Sequence, residues 1–160
     1  MWSTSHPLSA SLSATAATTV TSTLSCSHSE FLRRHARRLL RDGRALPPSK
    51  SLPVLRRVLD AGLMPELNLM DLYGVRASLQ LKHVLHLLAR ELGYADWSLC
   101  KRQIDGCDPA LLDRYRFEQG QFADFRQNWF ADLPTARQWQ QVHGGYLITY
   151  GKQAVAILSD

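Results

Sequence analysis

Arginine, whose side chain is well suited to binding anions, is concentrated in one short stretch of this sequence. The stretch FLRRHARRLLRDGR, residues 31–44, contains six arginines and a single acid. At about 100° per residue, a helix over this stretch puts five of the arginines on one side and the apolar residues on the other. The five are Arg33, Arg34, Arg37, Arg38 and Arg41. Because a guanidinium group presents a planar fork of donors, this face is predicted to bind the phosphates of nucleic acid.

The positive charge of the chain is local to the segment that contains this face. The formal net charge of the 160 residues is +5. Residues 30–57 carry nine basic and two acidic residues, a balance of +7, whereas the rest of the chain has a balance of −2. A local surplus indicates an anionic partner more strongly than a uniform one. The alternatives are an acidic protein surface and a helix side that is simply solvated.

A second basic pair, Lys101 and Arg102, lies in the stretch LLARELGYADWSLCKRQI, residues 87–104. Ala89 and Gly93 have the four-residue spacing of a helix-turn-helix motif, which makes the pair a weaker candidate for contacts to nucleic acid. An ordinary corner between two helices needs the same small residue and glycine. The sequence therefore leaves both interpretations of this element open.

Metal and cofactor chemistry finds little support in the sequence. His83 and His86 are three residues apart, but no carboxylate or cysteine is obviously placed beside them. Cys26, Cys100 and Cys107 are sparse, odd in number and not spaced as a CxxC pair, which favours a reducing compartment and a cytoplasmic location. No nucleotide-binding or hydrolase motif is present. We expect no metal and no cofactor.

One arrangement could support catalysis at the end of the chain. His143 precedes Tyr146, Tyr150 and Lys152, a set that could serve a small nuclease or hydrolase. A helix end followed by a strand explains the same residues without chemistry, so a non-enzymatic role is expected. If the face of Tyr146 and Tyr150 is open, these rings could stack on bases or on a partner.

The elements that must position these residues belong to one α+β domain. Residues 1–29 are rich in Ser, Thr and Ala, carry no charge and are predicted to form a disordered tail. Residues 30–160 are predicted to form a single domain. Its first part, residues 30–118, is expected to be a mainly helical body of five or six helices. Residues 119–160 are expected to form a β-α-β-β unit ending in a hairpin.

Short polar residues ahead of apolar periodic segments predict where the helices begin. The predicted N-cap residues are Ser29, Ser51, Ser78, Asp96 and Asp108. The helix that follows residue 78 has the widest apolar side, and we expect it at the centre of the core. No apolar run approaches the roughly 20 residues needed to span a bilayer, so no membrane partner is expected.

The C-terminal stretch YLITYGKQAVAI, residues 146–157, predicts two strands joined by a two-residue turn that starts with glycine. This register puts small side chains on one face, so a helix could pack closely there. The face in question is made of Leu147, Thr149, Ala154 and Ala156. We also expect four aromatic residues to meet under the hairpin: Trp129, Phe130, Trp139 and Tyr146.

Two stretches carry a resemblance to known proteins. LARELGYADW, residues 88–97, with a lysine at Lys101, resembles a helical signature of small uncharacterised bacterial proteins and of segments that precede glyoxalase-like domains. NWF, followed by ARQWQQVHGGYLITYGKQ, resembles the C-terminal hairpin end of such proteins. The resemblance implies a bacterial, cytoplasmic accessory role. It carries over no metal ligands and no activity.

Taken together, these patterns predict a non-enzymatic accessory or regulatory protein that binds nucleic acid non-specifically through phosphates. The predicted contacts are Arg33, Arg34, Arg37, Arg38 and Arg41, with Lys101 and Arg102 as weaker ones. The first alternative is a protein–protein interaction module, such as an adaptor, inhibitor or antitoxin-like protein, that docks an acidic partner on the same face. The second is a small nuclease or hydrolase near His143.

Overall fold

Residues 26–159, which a computed structural model describes, form a helical body followed by a small antiparallel sheet. The α-helices of this part of the chain are α1 (His28–Gly43), α2 (Pro48–Asp60), α3 (Leu69–Gly74), α4 (Leu81–Glu91), α5 (Trp97–Gln103), α6 (Asp113–Glu118) and α7 (Leu133–His143). Its strands are β1 (Arg126–Phe130), β2 (Tyr146–Tyr150) and β3 (Gln153–Leu158). The predicted α+β class, with six helices ahead of a β-α-β-β unit, is confirmed.

The first helix begins earlier than the sequence indicated. The N-cap of α1 is Ser27, whose hydroxyl accepts a hydrogen bond from the backbone N–H of Glu30 at 3.3 Å. Ser29, the predicted cap, lies inside the helix and donates from its backbone N–H and its hydroxyl to the carboxylate of Asp105, at 2.8 and 3.0 Å. The predicted disordered tail lies, for residues 1–25, outside the described residues.

Two other predicted helix starts were wrong, by four residues for α2 and by two residues for α4, in opposite directions. α2 begins at Pro48, and Ser51 is fully buried within it, donating to the carbonyl of Pro47 at 3.3 Å. α4 begins at Leu81, and its N-cap is Gln80 instead of Ser78. The backbone N–H of Gln80 donates to Nδ1 of His83, in the first turn of the helix. The caps at Asp96 and Asp108 are as predicted.

The core of the helical body forms around α4, as its wide apolar side predicted. Val84, Leu87 and Leu88 of this helix are completely buried. They belong to one hydrophobic cluster that also takes in Leu32 of α1 and Leu55 of α2. Burying side chains of this size stabilises a fold by roughly 1.5–3 kcal/mol each. The core therefore fixes α1 with one side inward and the other facing solvent.

The sheet has the strand order β1-β3-β2, and both pairings are antiparallel. Leu147 pairs with Ala156 and Thr149 pairs with Ala154, so all four share a face, as the hairpin register predicted. Ala154 and Ala156 are completely buried. Helix α7 contacts all three strands, and its own buried residue is Ala136. The small side chains thus allow close helix packing.

The opposite face of the sheet packs on the end of the helical body. Ile148, Val155 and Ile157 are buried there against Phe117 and Phe122. Phe117 lies in α6 and Phe122 follows it, so α6 joins the helical body to the sheet. This arrangement brings side chains of α1, α2, α4, α6 and β2 to one junction.

Candidate nucleic-acid interface

Helix α1 separates its residues as the sequence predicted. Leu32, Ala36 and Leu39 are buried, whereas the arginines, here called the arginine face, point away from the core. The arginine face consists of Arg33, Arg34, Arg37, Arg38 and Arg41, of which Arg33 is half-buried and the other four are exposed. At about 1.5 Å of rise per residue, the five Cα atoms span about 12 Å along the helix axis. The face is a short, continuous strip of guanidinium groups.

Most of the arginine face lacks an acidic partner. Arg34 pairs with Glu30 at 3.4 Å, and both side chains are well exposed, so this pair contributes little. Within residues 26–159, no carboxylate lies within 4 Å of Arg33, Arg37 or Arg38, and the same holds for Arg41. Carboxylates from elsewhere in this part of the chain therefore do not cover the face.

Two other arginines of the basic segment are bound by the fold itself. Arg44 donates from Nε, at 2.8 Å, and from Nη2 to the backbone carbonyl of Leu79. Arg57 donates to both carboxylate oxygens of Glu91, at 2.7 and 2.8 Å, and to Glu118 at 3.1 Å. Counting charges along the sequence placed all basic residues of this segment in one patch. In the structure, the arginine face points outward, whereas Arg44 and Arg57 are bound by other parts of the fold.

Arg57 belongs to a polar network at the junction of the helical body and the sheet. This junction network comprises His35, Arg57, Glu91, Arg114, Tyr115, Glu118 and Tyr150. Glu118 accepts from His35 Nε2 at 2.9 Å and from the hydroxyl of Tyr150 at 3.0 Å. Burial alone would raise the pKa of Glu118, but these hydrogen bonds and the positive charge of Arg57 lower it to about 2.

His35 and Tyr115 hold fixed positions in this network. The Nδ1 atom of His35 lies 3.0 Å from the side-chain amide nitrogen of Gln119, so with this amide orientation Nδ1 accepts and Nε2 carries the proton towards Glu118. The hydroxyl of the completely buried Tyr115 donates to Glu91 at 3.0 Å. Burial first, and then the negative charge of Glu91, raises the pKa of Tyr115.

Arg114 is the least well paired member of the junction network. Its Nε lies 3.5 Å from a carboxylate oxygen of Glu118, too poorly aligned for a hydrogen bond, and that nitrogen is buried. Its guanidinium carbon lies 4.9 Å from the centre of the Tyr150 ring. This network was not predicted from the sequence, because its partners are up to 83 residues apart in the chain. The one local signal was His35, an imidazole on the apolar side of α1.

Lys101 and Arg102 are both exposed on α5. The connection from α4 turns at Gly93, which has a positive φ of 90°, and Asp96 caps α5 by accepting from the backbone N–H of Leu99 at 2.8 Å. Two helices joined by a turn at Gly93 are therefore present, as both the helix-turn-helix interpretation and the ordinary helix corner require. α5 has only seven residues. Its two basic residues lie on a different helix from the arginine face.

The predicted residues near the C-terminal hairpin do not converge on one site. His143 stacks on Trp139, with ring centres 4.4 Å apart. The hydroxyl of Tyr146 donates to Asp113, and that of Tyr150 donates to Glu118, so both rings are turned towards α6. On the face that carried the stacking prediction, Tyr150 is thus packed against the helical body, whereas Tyr146 remains about half exposed.

The predicted aromatic cluster is divided between the two faces of the sheet. Phe130 contacts Trp139 of α7, with ring centres 5.4 Å apart. Trp129 lies on the other face, 5.5 Å from Phe117 and 5.9 Å from Tyr150. The expectation that all four aromatic residues meet was wrong, because neighbouring residues of a strand point to opposite faces.

The two histidines of α4, His83 and His86, form hydrogen bonds with nearby backbone groups. The Nδ1 atom of His83 accepts from the backbone N–H of Gln80 at 3.0 Å, and His86 Nε2 lies 3.1 Å from the carbonyl oxygen of Ala95. Burial and then the charges of Lys82 and His86 lower the pKa of His83. Across residues 26–159, no three His, Cys, Asp or Glu side chains are grouped as a metal site would require.

Comparisons with known proteins add no assignment. No family model matches the chain, and neither a curated protein nor a solved structure matches it. The resemblance of residues 88–97 to a bacterial signature stays a prediction. Among the helices of residues 26–159, none is both long and apolar enough to cross a bilayer.

Proposed function

We propose that this protein is a non-enzymatic nucleic-acid-binding protein that contacts phosphates through the arginine face of α1. The observation that carries the proposal is the absence, within residues 26–159, of any carboxylate within 4 Å of four of its five arginines. A strip of like charges on one helix destabilises that helix by a few tenths of a kcal/mol per i,i+4 pair, roughly 0.2–0.5. An anion that binds there relieves this repulsion.

Phosphate is the anion that fits the chemistry of the strip. Every charged donor on the face is a guanidinium group, which binds phosphate oxygens in pairs. Helix α1 contains no Asn or Gln, the side chains that read adenine edges in the major groove. Arginine can also bind guanine edges, but we propose that the contacts are to the phosphate backbone, without strong dependence on base sequence.

Lys101 and Arg102 are proposed as secondary contacts. Both are exposed, and neither makes an ion pair within the described part of the chain. With free thiols at Cys26, Cys100 and Cys107, we place the protein in a reducing compartment, the cytoplasm. The bacterial accessory role suggested by the resemblance belongs to the same proposal.

Salt dependence of binding tests the proposal. Affinity for random duplex and for single-stranded DNA or RNA would be measured over a salt series with the wild-type chain. For a duplex the slope is about −0.9 per phosphate contact, so five contacts predict a log–log slope of roughly −4.5. Replacing all five arginines by glutamine should remove most of it.

A matched control separates the face from general positive charge. Arg126 on β1 is exposed and, among residues 26–159, makes no ion pair. Arg37→Gln should lower the salt slope by about 1, and Arg126→Gln should leave it unchanged. Equal effects of the two substitutions would contradict the proposal. Capture of one acidic protein that persists at high salt, without measurable nucleic-acid binding, would favour the protein–protein alternative.

A further inference from the structure

A cavity of about 400 Å³, bordered mainly by α1 and α2, lies beside the arginine face. Its exposed lining residues include Arg38 of that face, together with Ser49 and Lys50 from the first turn of α2. Its buried lining residues include Leu39 and Val54. The cavity therefore has a polar and charged rim around an apolar floor, and its volume lies within the roughly 300–1,000 Å³ of ligand-binding pockets.

The charged residues of this cavity fall into paired and unpaired ones. Arg57 and Glu118, which also line it, bind each other at 3.1 Å in the junction network. Asp42 of α1 lines the cavity as well, and among residues 26–159 no basic group lies within 4 Å of its carboxylate. In the same part of the chain, Arg38 and Lys50 make no ion pair either. A ligand in this cavity would therefore meet one carboxylate and two cations that no ion pair of the described chain occupies.

The position of Asp42 is unfavourable for the helix that carries it. Asp42 lies in the last turn of α1, where the helix dipole places partial negative charge. Its carboxylate also opposes the binding of phosphate to the arginines beside it. Since no ion pair within residues 26–159 offsets this cost, neither helix stability nor phosphate binding accounts for Asp42. A ligand that carries hydrogen-bond donors would account for it.

A guanine base has the groups that this cavity can bind. Unpaired bases stack on guanidinium planes and form hydrogen bonds through their Watson–Crick edges. On that edge guanine presents two neighbouring donors, N1–H and the N2 amino group, which one carboxylate can accept together. The adjacent O6 of guanine is an acceptor, and Lys50 supplies a charged donor on the same rim. Adenine, cytosine and thymine each present a single donor group on this edge.

We propose that the cavity binds an unpaired guanine of a single-stranded nucleic acid, with the carboxylate of Asp42 accepting from N1–H and from the N2 amino group. The inference rests on the proposed function, because phosphates bound by the arginine face would hold the strand beside the cavity. Arg38 belongs to both features, since it lies on the arginine face and lines the cavity. The Watson–Crick edge of a base in a duplex is already paired, so this preference applies to single strands.

DNA strands that differ at one base test the inference. A thymine-only strand would carry at its centre guanine, thymine, or hypoxanthine, which lacks the N2 amino group of guanine. All three strands have the same number of phosphates, so the electrostatic part of binding is the same for each. We expect the wild-type chain to bind the guanine strand about tenfold more tightly than the thymine strand, with the hypoxanthine strand between them. Adding the complementary strand should abolish this preference.

Two matched variants test the role of the carboxylate. Asp42→Ala removes both acceptor oxygens and should reduce the guanine preference to less than about twofold. Asp60→Ala is the control, because Asp60 also lies in the last turn of its helix, α2, and makes no ion pair within residues 26–159. Asp60 does not line this cavity, so its replacement should leave the preference unchanged. Both substitutions raise the net charge by one, and the ratio of two strand affinities removes that effect.

The possible failures of the inference and of the proposed function can be told apart. Equal, salt-dependent binding of the three strands by the wild-type chain would overturn the inference and leave the proposed function standing. A guanine preference that Asp42→Ala retains, or that persists in the duplex, would do the same. If none of the strands binds at any salt concentration, the proposed function fails and the inference fails with it.

Discussion

Glu118 should make the stability of this protein depend on pH through the junction network. Its carboxylate has a pKa of about 2 in the folded chain, against an ordinary value of 4.5. A pKa lowered on folding contributes stability that is fully present above the unfolded value and is lost as pH falls towards the folded value. The window for Glu118 is therefore about pH 4.5 down to 2.

The size of the effect follows from the shift. A difference of about 2.5 units corresponds to about 3 kcal/mol in the free energy of unfolding, an upper value for a group with partial solvent access. At pH 3.5, about 1.4 kcal/mol of it should already be lost. Glu118→Gln removes the charge but keeps the shape, so it should destabilise the protein by about 2–3 kcal/mol at pH 7.

Urea unfolding of the wild type and of Glu118→Gln, at several pH values between 7 and 3.5, checks this reasoning. The difference in stability should stay constant from pH 7 to about 5.5 and then shrink as the wild-type carboxylate becomes protonated in the unfolded state. Glu66→Gln is the control, since Glu66 is exposed and makes no ion pair within residues 26–159. A difference that does not change with pH, or that is below 1 kcal/mol at pH 7, would refute the proposed role of Glu118.

Three further changes test other contacts. Gly145→Ala should lower the stability measured by thermal unfolding by more than about 1 kcal/mol, because Gly145 has a φ of 97° and a Cβ there would lie 3.0 Å from a backbone oxygen of β3. Gly74→Ala is the control: its Cβ would meet open space, so it should be nearly neutral. Tyr115→Phe should cost about 1–3 kcal/mol in urea unfolding, because it leaves a carboxylate oxygen of Glu91 without its hydroxyl donor. Arg37→Gln should stabilise the free protein by roughly 0.5 kcal/mol at low salt and have no effect at high salt, since it removes two like-charge i,i+4 contacts.

Much of the fold was predictable because its signals are local. The apolar period of α1, the cap at Asp96 and the glycine-first turn at Gly151 each act within a few residues of where they stand. The start of α1 was misplaced because Ser27 and Ser29 are both good caps in sequence. The choice between them depends on Asp105, which lies 76 residues from Ser29.

The candidate site was predictable only in its outward half. Periodicity separates the arginines of α1 from its leucines, and the exposed positions follow directly. Arg57 belongs to the same basic run, but it meets Glu91 and Glu118, which lie 34 and 61 residues away. A charge count along the sequence cannot distinguish a guanidinium that has distant partners from one that has none.

The basic segment contains arginines that the fold pairs with carboxylates and arginines that it leaves without such a partner, and this difference is relevant to its function. Glu91 and Glu118, whose side chains are largely buried, bind Arg57, whereas within residues 26–159 the arginine face has no carboxylate from another helix. Burying charge costs several kcal/mol per ion unless it is paired, so the inward pairs are required by the packing of the junction. No such requirement accounts for four arginines without an acidic partner on α1, where lysine and glutamate at i,i+4 spacing would give a more stable helix. Like-charge repulsion along the strip lowers the stability of the free chain slightly, and the anionic partner that we propose would offset that cost.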